Sequence, residues 1–536
     1  MNLNKKYAKS ALILALALGI TACGGNNESA NNTTTEPATT EEATTEEATT
    51  EVVEEAETTE EATTEEAATE EETTEEEPAT AETGDVPTLV YYNIGATPSR
   101  HEEVMAALNE YLDSQNAGYH VNTVFYDWGD YQQKLQLAVN SGEDWDLAFT
   151  ANWAGPYKTL ADQNALEDLT PYLDNELSGA KELIDDRMIE GAKINGPLYG
   201  MPAAYPGVVA ANQFVWNKEY VDKYDIPYQE LSTTQDIEEY LIQVKENEPE
   251  AEYPYGVAQD YLNADPVAVF TAASGVGVRE EGDKLVAYNV FESDEFKEKI
   301  NHMKKLYDEG LINPDAPQLQ PGEGGGGYYS TLVGQAEGEP GSEAIWSNPG
   351  EEKVSNIIGD SIVIDNGKAT GKMVSLSSQS EYKEQAIDFI NKMFTDPTVQ
   401  NLLSYGIEGE DYELVDGKVK KMEGEDLYGV ASFQYLSMES RTPEYSEDQD
   451  DAALEAEVKE FEEKLVASPT LGFNVNRDPI QGELENIDAT ISRYMNNLKT
   501  GAFDESYYDE FIEQLKVAGI DQAIEEIQKQ LDEFNK

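Results

Sequence analysis

From Val86 onward the apolar positions switch between two periods, and their succession predicts strands alternating with helices. Thr88 to Asn93 is a short, nearly continuous apolar run, the pattern of a buried strand. Gly95-Ala96-Thr97-Pro98 interrupts it. Val104, Leu108 and Leu112 then recur at helical spacing, with Ser99 placed as N-cap and Glu102 at the position a capping box requires. His120 to Tyr126 alternates in part, as a strand does. Asp130 is the next N-cap candidate, with Gln133 three residues on; Tyr131, Leu135 and Ala138 hold one helical face until Asn140-Ser141-Gly142 closes it. Trp145 to Thr150 is again apolar and strand-like. Such a βαβ succession predicts a parallel sheet, and open α/β sheets bind ligands in the crevice beyond the carboxyl ends of their strands. Trp128 and Trp153 both fall just past such ends.

Further along, Phe214 to Asn217 opens a crossing to a second lobe after the turn Pro197-Leu198-Tyr199-Gly200-Met201-Pro202. Glu-rich helices are expected around Gln235–Lys245 and Ser293–Asp308, with strands at Val286–Phe291 and Ile357–Ile364. Gly371 to Ser378 reads as the return to the first lobe. An amphipathic helix starting near Ser380 buries Ala386, Phe389 and Ile390 and must stop before Asp396-Pro397. In the last helix Ile520, Ala523, Ile524, Ile527 and Leu531 share a face, the spacing of a packed helix. The fold class is therefore α/β, in two lobes with a helical C-terminal extension.

The first 85 residues have a different character. Lys5, Lys6 and Lys9 precede an apolar run from Ala11 to Ile20, too short to span a bilayer, and Ile20-Thr21-Ala22-Cys23 follows. The tetrapeptide resembles a bacterial lipobox, which makes Cys23 the lipidation site and residues 1–22 a signal peptide. Residues 24–85 are mostly Thr, Glu and Ala, with 22 acidic residues and no Lys or Arg. A segment with so little apolar surface is expected to stay extended and disordered, a tether of roughly 45 Å root-mean-square span or more.

Removing those 22 acids and the three lysines leaves 86 acidic against 32 basic residues in the body, a net charge of −54. That excess excludes nucleic acid as a partner and disfavours highly anionic ligands unless Arg100, His101 or Arg279 offsets it locally. Cys23 is the one cysteine, so neither an intramolecular disulfide nor a Cys-based metal site is available. His101, His120 and His302 are widely separated, and no zinc, Gly-x-Ser-x-Gly or phosphate-loop pattern occurs; the run Glu323-Gly324-Gly325-Gly326-Gly327 lacks the Gly-Lys-Ser/Thr ending. Glu444 to Asp451 does not follow a calcium-loop spacing and reads as solvated surface. No enzyme, cofactor or metal is expected. Binding fits better, because sugars present apolar C–H faces and rings of hydroxyls to flat aromatic rings flanked by polar groups. The candidates are Trp153, Trp128, Trp346, Tyr205 and Tyr382 among the rings, with Asp127, Asn152 and Glu381 beside them.

Three further stretches carry a family resemblance. Leu89–Leu112, Asp127–Trp153 and Gly191–Tyr205 are similar to the solute-binding lipoproteins of carbohydrate ABC importers, family 1 type. Asn401–Leu414, with its Tyr-Gly-Ile-Glu-Gly run, matches the same family, and Ser468–Ile487 with Asp504–Phe534 resembles the C-terminal domain of unknown function found in a subset of it. The resemblance implies a periplasmic-binding-protein-like (type II) fold with a hinge: residues 86–426 as the solute-binding module, one lobe from 86–205 and 375–426 and the other from 206–374, and 427–536 as a C-terminal domain. It also implies an extracellular oligosaccharide ligand, ABC permease subunits as partners and a lipid anchor on the outer face of the cell membrane; the sequence gives no sign of an oligomer, so a monomer is expected. A surface adhesin or sensor that holds glycan without transport and a lipid-anchored glycosidase remain as alternatives.

Overall fold

The computed structural model describes residues 86–203, 210–257, 271–318, 331–348, 350–424, 426–436, 440–445 and 451–534. Strands β1 (Thr88–Ile94), β2 (His120–Tyr126) and β3 (Leu147–Thr150) alternate with helices α1 (His101–Ser114) and α2 (Tyr131–Ser141). β1 lies parallel to both β2 and β3. Every residue of β3 is buried, as a strand covered on both faces must be. Val104, Met105, Leu108 and Leu112 of α1 and Tyr131, Leu135 and Ala138 of α2 are the covering faces.

The local starts differ from expectation. The residue that caps α1 is Arg100, in a left-handed conformation at φ 59° with no side-chain capping bond. Its guanidinium is engaged instead by Asp411, at 2.8 Å, and by Glu410. Asp130 precedes α2 without a capping bond either. β3 starts two residues later than the apolar run because Trp145 stacks on Tyr92 and the Asp146 carboxylate accepts from the Val90 amide at 2.8 Å.

Beyond β4 (Met201–Pro202) the chain enters a second sheet through β5 (Ala211–Asn217). A three-stranded antiparallel ribbon follows, β6 (Thr271–Ala273), β7 (Val276–Glu281) and β8 (Lys284–Asn289), and then β9 (Val333–Gly338) and β10 (Lys353–Ile357) flank β5 antiparallel on its two sides. The expected single strand at Ile357–Ile364 is two strands in different sheets. β10 ends at Ile357 in the second lobe, and β11 (Ile362–Ile364) belongs elsewhere, so the chain recrosses between them. β12 (Met373–Leu376) then inserts antiparallel between β3 and β4, completing the first-lobe order β2-β1-β3-β12-β4. The helix Lys383–Thr395 buries Ala386, Phe389 and Ile390 completely and ends where Asp396 caps the next helix, which opens with Pro397.

The hairpin β13 (Tyr412–Val415) and β14 (Lys418–Lys421) ends the first-lobe module in sequence, but the packing continues past it. Tyr428, Tyr435 and Leu436, expected to open a separate C-terminal domain, are buried in the first-lobe core. Gln434 fixes them there, donating to the Ile94 carbonyl while its own carbonyl accepts from the Asn93 amide nitrogen at 3.1 Å. Gly95 permits this approach: its φ is 118°, and a Cβ there would lie 2.7 Å from the Gln434 side chain. The helix Asp451–Lys464 then touches both lobes. Phe461 is buried in the first-lobe core, and the Glu457 carboxylate accepts from the Gly341 amide of the second lobe at 2.9 Å. β15 (Leu465–Ala467) pairs parallel with β11 directly afterwards.

The last three helices form no isolated core. Leu484, Ile487, Phe511, Leu515, Ile520, Ala523, Ile527 and Leu531 pack with Val276, Val278 and Leu285 of the β7–β8 hairpin and with Phe296 and Ile300 of the helix Asp294–Asp308. That helix turns Met303 and Leu306 into the second-lobe core, so the C-terminal helices ride on the second lobe. No described helix is long and apolar enough to cross a membrane.

Burial, with Glu343 close by, pushes the Glu457 carboxyl up to about 7 from an ordinary 4.5. Between those two values the folded chain holds a proton the unfolded chain has released, so stability falls as pH rises through that window. Thermal melts from pH 5 to 8 should show Glu457→Gln melting close to the parent at pH 5 and above it at pH 8; a constant difference at every pH would contradict the assignment.

Candidate functional site

The parallel strands end on one edge, and their loops carry the candidates. β2 delivers Asp127 and Trp128, both exposed, and β3 delivers Asn152 and Trp153. The two indole rings lie nearly parallel, 21° apart in plane with centroids 6.0 Å apart, and remain 46 % and 41 % exposed. A pair of large rings left this open is unusual on a folded surface and is the shape of a recognition platform. Backbone geometry places it. The Asp127 carbonyl accepts from the amides of Asp130 and Tyr131, which turns the chain into α2 directly after Trp128. Behind Trp153, Gly155 adopts φ 56°, and a Cβ there would lie 2.6 Å from the Phe149 carbonyl oxygen.

A segment from much later in the chain supports the Trp153 loop. The Trp153 Nε1 donates to the Gly371 carbonyl at 2.7 Å, the Asn152 side-chain amide donates to the Gly367 carbonyl at 3.1 Å, and the Asn152 backbone amide donates to the Thr370 carbonyl at 2.9 Å. Residues 366–372 are thus tied to the platform on one side. On the other side they reach the second lobe. Lys368 donates to the Ala210 carbonyl at 2.7 Å and pairs with Glu337 of β9 at 3.1 Å, and Lys372 pairs with Glu339 at 3.2 Å. These four charged residues were not among the candidates, and partners more than thirty positions apart leave no local sequence signal.

The other candidates are placed differently. Trp346 is only 7 % exposed and packs with Val215 and Ala336 inside the second lobe, with its ring against Gly338, so it is a core residue in place of a loop platform. Glu381 and Tyr382 follow the far end of β12. Because β12 runs antiparallel, Leu376 lies beside Leu147 at the start of β3, and the residues after it emerge at the sheet edge opposite Trp153. Glu381 is exposed there, and Tyr382 caps the helix Lys383–Thr395 half-buried against the core. Tyr205 lies outside the described residues, as does Cys23. Among the described residues no group of three or more His, Asp or Glu comes together in a way that could hold a metal ion.

The histidine and arginine at the adjoining loop are committed to structure. His101 donates from Nε2 to the Thr123 carbonyl at 2.7 Å, and burial lowers its pKa, so its ring is neutral at pH 7. Arg100 is held by Asp411, whose side chain is fully buried and also accepts from the Ile407 and Tyr428 amides at 2.8 and 3.0 Å.

Comparison with known proteins shows the family and the fold. Residues 98–400 match the family described as bacterial extracellular solute-binding protein, and residues 469–536 match a domain of unknown function, DUF3502. A carbohydrate ABC transporter substrate-binding protein of Streptococcus pneumoniae is 27 % identical over 466 residues, 85 % of this chain and 92 % of its own length. The crystal structure of the N-glycan transport solute binding protein NgtS from the same species is 26 % identical and superposes with a TM-score of 0.68 over 84 % of this chain and 99 % of that one. Its complex with Man5GlcNAc superposes with a TM-score of 0.56 at 26 % identity, covering 84 % and 98 % of the two chains. The fold is the two-lobed type II solute-binding fold. With more than half of its length matched by that family, this chain belongs to the bacterial extracellular solute-binding proteins.

Proposed function

We propose that the protein captures an extracellular carbohydrate, an oligosaccharide, between its two lobes and presents it to the permease of an ABC importer. The observation that carries this reading is the exposed Trp128–Trp153 pair at the carboxyl edge of a parallel sheet, flanked by Asp127 and Asn152. An indole face covers the apolar C–H face of a sugar ring, and the carboxylate and amide serve its hydroxyls. Tyr205, which falls between β4 and β5 in the sequence, is proposed as a further ring of the site. The relatives that transport carbohydrate, NgtS among them, support the ligand class.

The mechanism is a population shift. A ligand seated on the platform gains second-lobe contacts only when the lobes close, so its differential affinity sets how far closure is favoured. Closure is the signal the permease reads, and the protein acts by binding without chemical turnover. Cys23 is proposed to carry the lipid anchor on the outer face of the membrane, with residues 24–85 as the tether that lets a monomeric body sweep a volume around its transporter.

Trp153→Ala is expected to weaken oligosaccharide binding at least about tenfold, equivalent to ~1.4 kcal/mol, while the two thermal melts stay close. Calorimetry with Man5GlcNAc and neutral oligosaccharides of other backbones reads this out, with peptides as the contrasting ligands. Heat from peptides alone, or unchanged affinity in the variant, refutes the reading. For the anchor, Cys23→Ser should move the protein from the membrane fraction to the soluble fraction, and the parent's N-terminal peptide should show the mass of an attached lipid.

A further inference from the structure

We propose that the cleft beside Trp153 selects uncharged glycans over acidic ones, because Glu337 and Glu339 of the second lobe neutralise the two lysines that border the platform. The inference rests on the carbohydrate reading and adds its charge specificity. Lys372 directly follows Gly371, the residue that receives the Trp153 indole N–H, and Lys368 directly follows Gly367, which receives the Asn152 amide. Two cations are thus held at the edge of a sugar platform, where a uronate or sialate carboxylate would be expected to find a partner. Each is already paired across the lobes, Lys368 with Glu337 at 3.1 Å and Lys372 with Glu339 at 3.2 Å, and Lys368 also donates to Ala210.

Among the described residues, the three cations expected to offset charge, Arg100, His101 and Arg279, give no substitute. Arg100 is held by Glu410 and Asp411, and His101 is neutral on the Thr123 carbonyl. Arg279 belongs to the β7–β8 hairpin, where it pairs with Glu281. Lys134 is exposed on α2, and a pair formed there in full solvent contributes little. Residues 204–209, 258–270 and 319–330 contain no Lys, Arg or His, so they have no positive charge to add. An acidic ligand would therefore lose hydration without gaining an ion pair, inside a body whose net charge is −54. A neutral glycan meets neither cost.

The test is calorimetry on the full chain at low ionic strength with two matched pairs: a sialylated biantennary N-glycan and its desialylated form, and Man5GlcNAc with and without a 6-phosphate. The neutral member of a binding pair should bind at least about tenfold more tightly, with the gap narrowing as salt rises. Glu337→Gln with Glu339→Gln frees both lysines and should narrow the gap severalfold, whereas Lys368→Gln with Lys372→Gln leaves the glutamates uncompensated and should widen it. Equal or tighter binding of the charged member, or a gap that neither double variant moves, overturns the inference. Silence from both members of both pairs is a different result, which removes the carbohydrate reading and this inference with it.

Discussion

The antiparallel insertion of β12 into an otherwise parallel sheet is the constraint on which the site depends. A parallel strand in that place would deliver its own following loop to the ligand edge. β12 instead arrives at that edge with its leading segment, residues 366–372, and leaves at the opposite edge. The leading segment is what receives the hydrogen bonds of Asn152 and Trp153 and what carries Lys368 and Lys372 to the second lobe. One strand direction therefore both orients the aromatic pair and joins it to the second lobe.

The second lobe is tied to the first by more chain than a simple hinge requires. The chain recrosses between β10 and β11, and the helix Asp451–Lys464 touches both lobes before β15 pairs with β11. Asn366 then receives the chain on its way back: its side chain donates to the Phe473 carbonyl at 2.6 Å and accepts from the Gly472 amide at 2.8 Å. The C-terminal helices are thus anchored beside residues 366–372 at one end and packed on the second lobe through the β7–β8 hairpin at the other. Their packing therefore runs from the segment 366–372 to the second lobe.

Charge is managed locally in a strongly acidic chain. Arg100, Lys368 and Lys372 each have an acidic partner, and burial lowers the pKa of His101. Individually such half-exposed pairs contribute little to stability. Their effect is on recognition, because an engaged cation no longer offers a partner to a ligand carboxylate.

The sequence by itself determined the elements whose information is local. Helical spacing placed Val104, Leu108 and Leu112, then Ala386, Phe389 and Ile390, then Ile520, Ala523, Ile527 and Leu531 on buried faces, and the βαβ succession put Trp128 and Trp153 at strand ends that share an edge. Periodicity reports a residue's own burial because each face repeats within a few positions. It says nothing of partners brought from afar. Only the tertiary structure decided that Trp346 is covered by Val215 and Ala336, that Glu381 and Tyr382 emerge at the wrong edge, that Tyr428 and Tyr435 belong to the first-lobe core, and that lysines 31 and 33 residues from their glutamates bind the lobes together. Each of these follows from strand direction and lobe packing, which are properties of the assembled chain and leave no periodic trace along it.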